Sequence, residues 1–224
     1  MEREIVISGV GGQGIQVAGQ LLGCAAVATG LHAMYFSKFD GAQRGGVSDC
    51  IVAIGDEPVS AAPVLDQPIV GAIAMHPNSF QRYERNIKRG GLLLYNSSVK
   101  LGSAQEHTVG VGMAIAADTV IEAKTARTDI GVVYIPASEI AHRDLGSPLM
   151  ATLVIVGAFI ELTGIVPLAV LEEALKEAIR PGRHKFIPVS LKALHRGAEY
   201  ARREAQVQNP GAVRLFNGRV PAVS

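Results

Sequence analysis

Short apolar runs alternate with longer segments of helical pattern along most of this chain. The apolar runs predict strands at residues 3–8, 31–36, 47–54, 69–74, 92–95 and 131–135. The segments between and after them predict helices at residues 14–29, 78–88, 148–164, 170–179 and 188–206, with a shorter one opening at Ser138. Strands that alternate with helices favour an α/β fold, here a mostly parallel, doubly wound, Rossmann-like sheet with C-terminal helices.

Three segments carry no clear periodicity. Residues 37–46 predict a loop, and residues 97–131, rich in Ser, Gly, Thr and Ala, predict an excursion that returns to the core at Gly131. From Gln206 onwards we expect a tail that is ordered only where it lies on a partner. Because no linker splits the rest, we predict one domain over residues 1–205 and a C-terminal tail over residues 206–224.

Composition narrows the class of protein. Hydrophobic residues make up 48% and charged residues 18% of the chain, which is typical of a compact protein with a large core. A formal net charge of +1 gives no reason to expect nucleic acid or an anionic membrane as partner. The longest apolar run, residues 149–159, is too short to cross a bilayer, and no signal-peptide pattern opens the chain. We therefore expect a cytoplasmic protein.

The cysteines and histidines give no sign of a metal centre. Cys24 and Cys50 are far apart, and neither belongs to the C-x-x-C pattern that iron–sulfur and structural zinc sites use. The six histidines show no metal-ligand spacing, and neither G-x-S-x-G nor H-E-x-x-H occurs. We expect two reduced thiols, no resident metal and no catalytic residue on this chain.

A glycine motif joins the first strand to the first helix. The run Gly9-Val10-Gly11-Gly12-Gln13-Gly14 matches G-x-G-x-x-G in the strand–turn–helix context where this pattern carries meaning. Its glycines allow a tight turn, and the positive end of the helix suits an anion. A structural turn and an anion site are both open. The NAD(H) interpretation requires an acid at the end of strand two, where this chain has Lys38, with Asp40 a little further on.

A second candidate motif is Gln43-Arg44-Gly45-Gly46. The guanidinium of Arg44 could bind a phosphate or carboxylate in a bidentate manner, while the two glycines keep the backbone close to that group. The alternative is a surface arginine before a hairpin turn.

His76 is a third candidate, because it follows a buried strand directly. Ligands of open α/β sheets bind beyond the carboxyl ends of the strands. The alternative is a solvated loop histidine.

The two glycine motifs together resemble one family. G-G-Q-G at residues 11–14, followed about thirty residues later by A-Q-R-G-G at 42–46, resembles the gamma subunit or gamma domain of the 2-oxoacid:ferredoxin oxidoreductases. Pyruvate, 2-oxoglutarate, 2-oxoisovalerate, indolepyruvate and phenylglyoxylate enzymes belong to this family. Further similarities are G-G-L-L-L at 90–94, I-P-A-S-E-I-A at 135–141 and V-G-A-F with L-T-G at 156–164, so that the likeness covers about residues 4–200. Thr152 stands where the family often has Asn.

This resemblance implies a function in a complex. The family decarboxylates 2-oxoacids oxidatively with thiamine diphosphate, passes electrons through iron–sulfur clusters to ferredoxin or a similar acceptor, and transfers the acyl group to coenzyme A. The chain would be a non-redox subunit beside alpha, beta and cysteine-rich ferredoxin-like subunits, which hold the thiamine and the clusters. It would help to form the coenzyme A region and the subunit interface. The A-Q-R-G-G form is similar to that of aryl 2-oxoacid members. The expected binding residues are Gly11, Gly12, Gln13, Gly14, Gln43, Arg44, Gly45 and Gly46.

Two other functions remain open at this point. A stand-alone NAD(P)-binding oxidoreductase would bind nucleotide by itself and would use Lys38 or Asp40 at the end of strand two. In a purely structural role, the glycines would serve close packing and contact no ligand.

Overall fold

The computed structural model describes residues 2–39, 46–59, 68–99, 123–213 and 215–216. Strands and helices alternate through most of this part of the chain, and three short 3-10 turns lie at Pro148–Met150, Pro181–Phe186 and Pro210–Ala212. The elements in chain order are β1 (Arg3–Val10), α1 (Ile15–Ala28), β2 (His32–Phe39), β3 (Val47–Gly55), β4 (Ile69–Ala74), α2 (Pro77–Glu84), β5 (Ile87–Asn96), β6 (Gly131–Ile135), α3 (Ala137–Leu145), α4 (Ala151–Thr163), α5 (Leu168–Ala178), α6 (Ile187–Arg203) and β7 (Val207–Gln208).

The described strands form one mixed sheet in the order β2-β3-β1-β4-β5-β6-β7. β1, β4, β5 and β6 pair in parallel at its centre. β3 lies antiparallel between β1 and β2, and β7 is antiparallel to β6. β2 therefore runs in the same direction as the parallel strands. The predicted α/β class with a mostly parallel, doubly wound sheet is confirmed.

Helices cover the two faces of the sheet unequally. α1, α3, α4, α5 and α6 contribute to the larger core on one face. α2 packs on the opposite face, where Phe80 and Tyr83 contact the smaller core. α1 follows β1 and α2 follows β4, so the chain leaves two neighbouring parallel strands toward opposite faces. Such a divergence opens a crevice at the carboxyl ends of the strands, where ligands of this fold class bind.

The α4 and α6 helices approach each other at two glycines. A methyl group on Gly157 would lie 2.1 Å from the carbonyl oxygen of Leu194, and one on Gly197 would lie 1.7 Å from that of Val154. Glycine is required here for space, because a backbone atom cannot move aside as a flexible side chain can. The apolar run predicted near residues 149–159 is thus a core helix. Within the described ranges, no helix combines the length and apolar character of a membrane span.

Several predicted boundaries are wrong, for local reasons. β2 continues to Phe39, because its last residues pair with the start of β3 where a loop is predicted. α2 ends at Glu84 rather than residue 88, and Gly90-Gly91 lies inside β5 instead of ending a helix. Gly90 adopts a φ of +85°, and the β4–β5 register shifts beside it, which is typical of a bulge.

The region after α6 is also more ordered than a tail. Val207–Gln208 adds an antiparallel strand to the sheet, and the Phe216 ring packs edge-on against Phe159 with 5.8 Å between centroids. Sequence periodicity misses a two-residue strand because no pattern can repeat over that length. Residues 217–224 lie outside the described residues. The domain boundary at residue 205 stays a prediction.

The α4–α6 contact predicts a large stability loss for Gly197→Ala. The added methyl group overlaps backbone, so we expect the free energy of unfolding to fall by at least about 1–3 kcal/mol in urea denaturation. Gly182→Ala is the matched control, because a methyl group there meets nothing within 4 Å. Equal stability of the two variants would contradict this account of the helix crossing.

Candidate functional site

The turn between β1 and α1 depends on two left-handed glycines. Gly12 has a φ of +100° and Gly14 a φ of +81°. Residues with a Cβ rarely adopt this conformation, whereas glycine does so at little cost. Gly14 is the N-cap of α1, and its carbonyl accepts the first helical hydrogen bond from the Ala18 N–H at 3.0 Å. The motif therefore forms the abrupt strand-to-helix turn that the sequence predicts.

Gln13 closes this turn from inside. Its side-chain Oε1 accepts a hydrogen bond from the Val10 N–H at 2.8 Å, and its own N–H donates to the Val10 carbonyl at 3.1 Å. A methyl group on Gly9 would lie 2.3 Å from that Oε1. Gly9 thus makes room for the glutamine side chain, whose Oε1 is hydrogen-bonded within the turn.

Two further hydrogen bonds fix the turn to distant parts of the chain. The Gly11 N–H donates to the Gly46 carbonyl at 2.8 Å, which joins the turn to the residue before β3. The Thr152 hydroxyl donates to the Gln13 carbonyl at 2.5 Å, which joins it to the first turn of α4. Thr152 is a site residue whose role the sequence alone does not indicate, because it lies 139 positions from its partner.

The structure brings five of the predicted binding residues together. Gly11, Gly12, Gln13 and Gly14 form the turn itself, and Gly46 meets it through the hydrogen bond to Gly11. The other three, Gln43, Arg44 and Gly45, lie outside the described residues. Among the described residues, this hydrogen bond joins the two glycine motifs.

The first turn of α1 offers hydrogen-bond donors to the crevice. Within the described part of the chain, no acceptor takes a hydrogen bond from the N–H groups of residues 15–17. Such groups carry the positive end of the helix dipole and bind anions readily. α1 contains no charged residue, so no side chain on the helix itself competes for this position.

The turn after β4 forms the second wall of the crevice. The Met75 N–H donates to the Ser8 carbonyl at 2.8 Å, which places the end of β4 beside β1. His76 caps α2: its Nδ1 accepts a hydrogen bond from the Asn78 N–H at 3.3 Å. The imidazole therefore has a structural role as an N-cap, which the sequence does not predict, and a ligand contact by His76 stays a prediction.

A buried carboxylate lies beneath this wall. Asp49 is 0% exposed in the middle of β3. It accepts hydrogen bonds from the Ser8 hydroxyl at 2.5 Å, from the Tyr83 hydroxyl at 2.8 Å and from the Arg82 guanidinium at 2.9 Å. A buried charge is tolerated when it is paired and hydrogen-bonded in this way. This cluster anchors α2 to the sheet. Its one indication in the sequence is an acidic residue within an otherwise apolar strand.

Polar and thiol groups fill the space beneath α1. The Gln16 side chain donates to the Ser48 hydroxyl at 3.0 Å and to the Asp49 carbonyl at 3.1 Å, and it accepts from the Tyr35 hydroxyl. The Cys50 thiol packs under the same helix, where burial raises its pKa to about 12. A thiol with this pKa is not a nucleophile at neutral pH. Among the described residues, no group of three His, Cys, Asp or Glu side chains could hold a metal ion.

The antiparallel β3 strand separates β2 from the glycine turn. In a dinucleotide-binding sheet the acid that holds the ribose follows the strand next to β1. Here β2 lies two strands away from β1, about 10 Å at the usual strand spacing. Lys38 pairs in register with Asp49 of β3, and Asp40 lies outside the described residues. This arrangement disfavours the NAD(P) alternative.

Comparison with known proteins agrees with the motifs. Residues 4–200 match the pyruvate ferredoxin/flavodoxin oxidoreductase family. The chain is 29% identical over 203 residues to the 2-oxoglutarate synthase subunit KorC of Methanocaldococcus jannaschii, a match that covers 90% of this chain and 95% of the relative.

Two solved structures share the fold. The gamma subunit of a keto/oxoacid ferredoxin oxidoreductase from Geobacter sulfurreducens superposes with a TM-score of 0.66 at 24% identity, covering 89% of this chain and 98% of that one. The 2-oxoglutarate:ferredoxin oxidoreductase of Magnetococcus marinus, solved with 2-oxoglutarate, coenzyme A and succinyl-CoA, gives a TM-score of 0.73 at 19% identity. This match covers 99% of our chain but 33% of the Magnetococcus chain. The chain therefore belongs to the pyruvate ferredoxin/flavodoxin oxidoreductase family.

Proposed function

We propose that this chain is the non-redox gamma subunit of a complex that catalyses the coenzyme A-dependent oxidative decarboxylation of a 2-oxoacid. Electrons would pass to ferredoxin or a similar acceptor through other subunits. The M. jannaschii relative is named for 2-oxoglutarate, whereas the A-Q-R-G-G motif favours an aryl 2-oxoacid. The choice of an aryl substrate stays a prediction, because most of that motif lies outside the described residues.

The observation that carries the coenzyme A proposal is the glycine turn at the start of α1. Its first-turn N–H groups find no acceptor within the described residues, and they open at the crevice between two diverging helices. Coenzyme A carries a pyrophosphate and a 3′-phosphate, which are anions of the kind that helix N-termini bind. A protein of the same fold, the Magnetococcus enzyme, has coenzyme A bound.

The donor groups of this chain do not fit an iron–sulfur cluster. Such a cluster is held by four thiolates in most proteins, and this sequence has two cysteines. Cys24 is exposed on α1, whereas Cys50 is buried beneath it, so the two thiols lie on opposite sides of one helix. We therefore assign the clusters, and with them the electron path, to cysteine-rich partner chains. Thiamine diphosphate belongs on the alpha and beta chains.

The outer face of α1 supports a subunit interface. Val17, Gln20, Cys24 and Val27 are exposed and follow each other at the 3-4-3 spacing of one helix face. Val17 is 58% and Val27 57% exposed, and no charged residue lies anywhere on this helix. A surface helix normally carries charge on its solvent side, and an apolar outer face marks an interaction site.

The comparison with the Magnetococcus chain supports a heterologous partner for this face. Our chain matches about a third of that polypeptide, so the matching region is joined there to a much longer remainder. In a complex built from separate chains, an equivalent partner would bind the free gamma subunit. We propose that this partner covers the α1 outer face.

Thr152→Val tests the coenzyme A proposal without adding or removing bulk. The variant keeps the shape of the side chain but loses the hydroxyl that holds the Gln13 carbonyl, so the turn loses one anchor. In the assembled complex we expect the KM for coenzyme A to rise roughly 3–10-fold, as the loss of one hydrogen bond predicts, while the KM for the 2-oxoacid is unchanged. Steady-state kinetics with each substrate varied in turn measures both constants.

Thr152→Ser is the control, because it retains the hydroxyl and should behave as the wild type. Unchanged kinetics in Thr152→Val, combined with a reduced yield of complex, would favour the purely structural role instead. Calorimetric binding of NAD(P) to the isolated chain would favour the stand-alone dehydrogenase.

Thiol labelling tests the α1 interface without any substitution. In the isolated chain N-ethylmaleimide should modify the exposed Cys24 and spare Cys50, whose burial and raised pKa of about 12 block reaction. In the assembled complex we expect Cys24 to be protected as well, and mass spectrometry of intact subunits measures both. The denatured complex, in which both thiols react, is the control. Equal labelling of Cys24 before and after assembly would contradict the proposed interface.

A further inference from the structure

Positive charge is concentrated in one stretch of this nearly neutral chain. Between residues 178 and 198 the sequence contains no Asp or Glu. The same stretch carries Arg180, Arg183, Lys185, Lys192 and Arg196, together with His184 and His195. Because the whole protein has a formal net charge of +1, this stretch is balanced by acids elsewhere and forms a local positive region.

Three of these cations lie in the connection between α5 and α6. Residues 180–186, here called the basic turn, are all exposed and include the 3-10 turn Pro181–Phe186. Among the described residues, no carboxylate pairs with Arg180, Arg183 or Lys185. Arg196, in contrast, is paired with Asp144 and Glu199. The basic turn therefore offers guanidinium and ammonium groups whose charge is not neutralised by a neighbouring acid.

The basic turn has a defined shape. The Arg183 N–H donates to the Arg180 carbonyl at 2.8 Å, and the His184 Nε2 lies 3.1 Å from the Ile179 carbonyl oxygen. These contacts hold the backbone in a short turn between two helices. The donors on Arg183 and Lys185 are thus carried by a segment with fixed ends rather than by an extended loop.

An exposed aromatic ring lies next to the cations. Phe186 is 45% exposed at the end of the basic turn, and the Lys185 Nζ lies 5.3 Å from its ring centroid. A flat apolar ring that solvent can reach is suited to stacking against a nucleobase. Cations and an accessible ring together match a phosphorylated nucleotide better than inorganic phosphate alone.

Two contacts connect the basic turn to the glycine turn. Ser190, one helical turn after Phe186, has its hydroxyl 3.8 Å from the Met150 sulfur. Two residues after Met150, Thr152 holds the Gln13 carbonyl. The start of α6, the start of α4 and the start of α1 therefore meet at one end of the molecule, where an elongated ligand can contact both turns.

We propose that the basic turn binds the nucleotide end of coenzyme A. Arg180, Arg183 and Lys185 would contact its phosphate groups, and Phe186 would stack on the adenine. This inference rests on the proposed function. It adds a second set of coenzyme A-binding residues, distinct from the glycine turn. An acidic protein surface is the competing occupant, and the experiment below distinguishes it from coenzyme A.

The double substitution Arg183→Ala/Lys185→Ala in the assembled complex tests this assignment. We expect the KM for coenzyme A to rise roughly 10–100-fold, the range that loss of charge-assisted hydrogen bonds gives, with the KM for the 2-oxoacid unchanged. With dephospho-coenzyme A, which lacks the 3′-phosphate, the KM values of the wild type and the variant should differ less. Calorimetric titration of the complex with adenosine 3′,5′-bisphosphate should show weaker binding in the variant.

Arg203→Ala is the matched control, since it removes an exposed cation of α6 that is already paired with Glu199. Phe186→Leu should raise the KM for coenzyme A, whereas Phe186→Tyr should leave it near the wild-type value. An unchanged KM for coenzyme A in the double variant would overturn the assignment. So would loss of assembly with normal kinetics in the residual complex, which would instead indicate an acidic protein partner.

The outcomes separate this inference from the function on which it rests. If Thr152→Val raises the KM for coenzyme A while the basic-turn variant does not, the proposed function holds and the nucleotide assignment is wrong. If coenzyme A does not affect turnover of the complex at all, both are wrong.

Discussion

The burial of one carboxylate organises this end of the sheet. Asp49 has no contact with solvent, and a charge removed from water must be compensated by donors. Ser8 and the α2 residues Arg82 and Tyr83 supply them, so that β1, β3 and α2 are held in one arrangement. The turns after β1 and β4 both leave the sheet next to this cluster. A hydrogen-bonded charge thus holds α2 in place beside the carboxyl ends of β1 and β4.

Much of the fold can be predicted from the sequence. Buried strands appear in it as short apolar runs, and amphipathic helices repeat their apolar residues with a characteristic spacing. The α/β class, the strand–glycine–helix opening and the core helix at α4 are confirmed. The position of β3 is not encoded in any such period, since an antiparallel insertion between β1 and β2 is decided by tertiary pairing. The same holds for Val207–Gln208, whose strand exists because β6 presents an open edge to it.

The candidate site likewise has some features that the sequence predicts and others that it does not. The glycine turn can be predicted from the sequence, because the backbone geometry requires glycine there, as the positive φ angles of Gly12 and Gly14 show. The contacts of Thr152 and Asp49 cannot be predicted, because each acts through a partner that only the folded chain brings near. The two glycine motifs that carry the family resemblance meet at the Gly11–Gly46 hydrogen bond, and their part in binding stays a prediction. The specific contacts came from the structure.

One contact also bears on how the protein folds. The Thr152 hydroxyl donates to the Gln13 carbonyl across 139 positions, so the glycine turn is completed by a helix that is synthesised well after it. A contact between residues so far apart in sequence requires a long loop to close, which costs conformational entropy. A nascent N-terminal half therefore presents an unfinished glycine turn. We expect the formation of this turn to require α4 as well as the glycine motif itself.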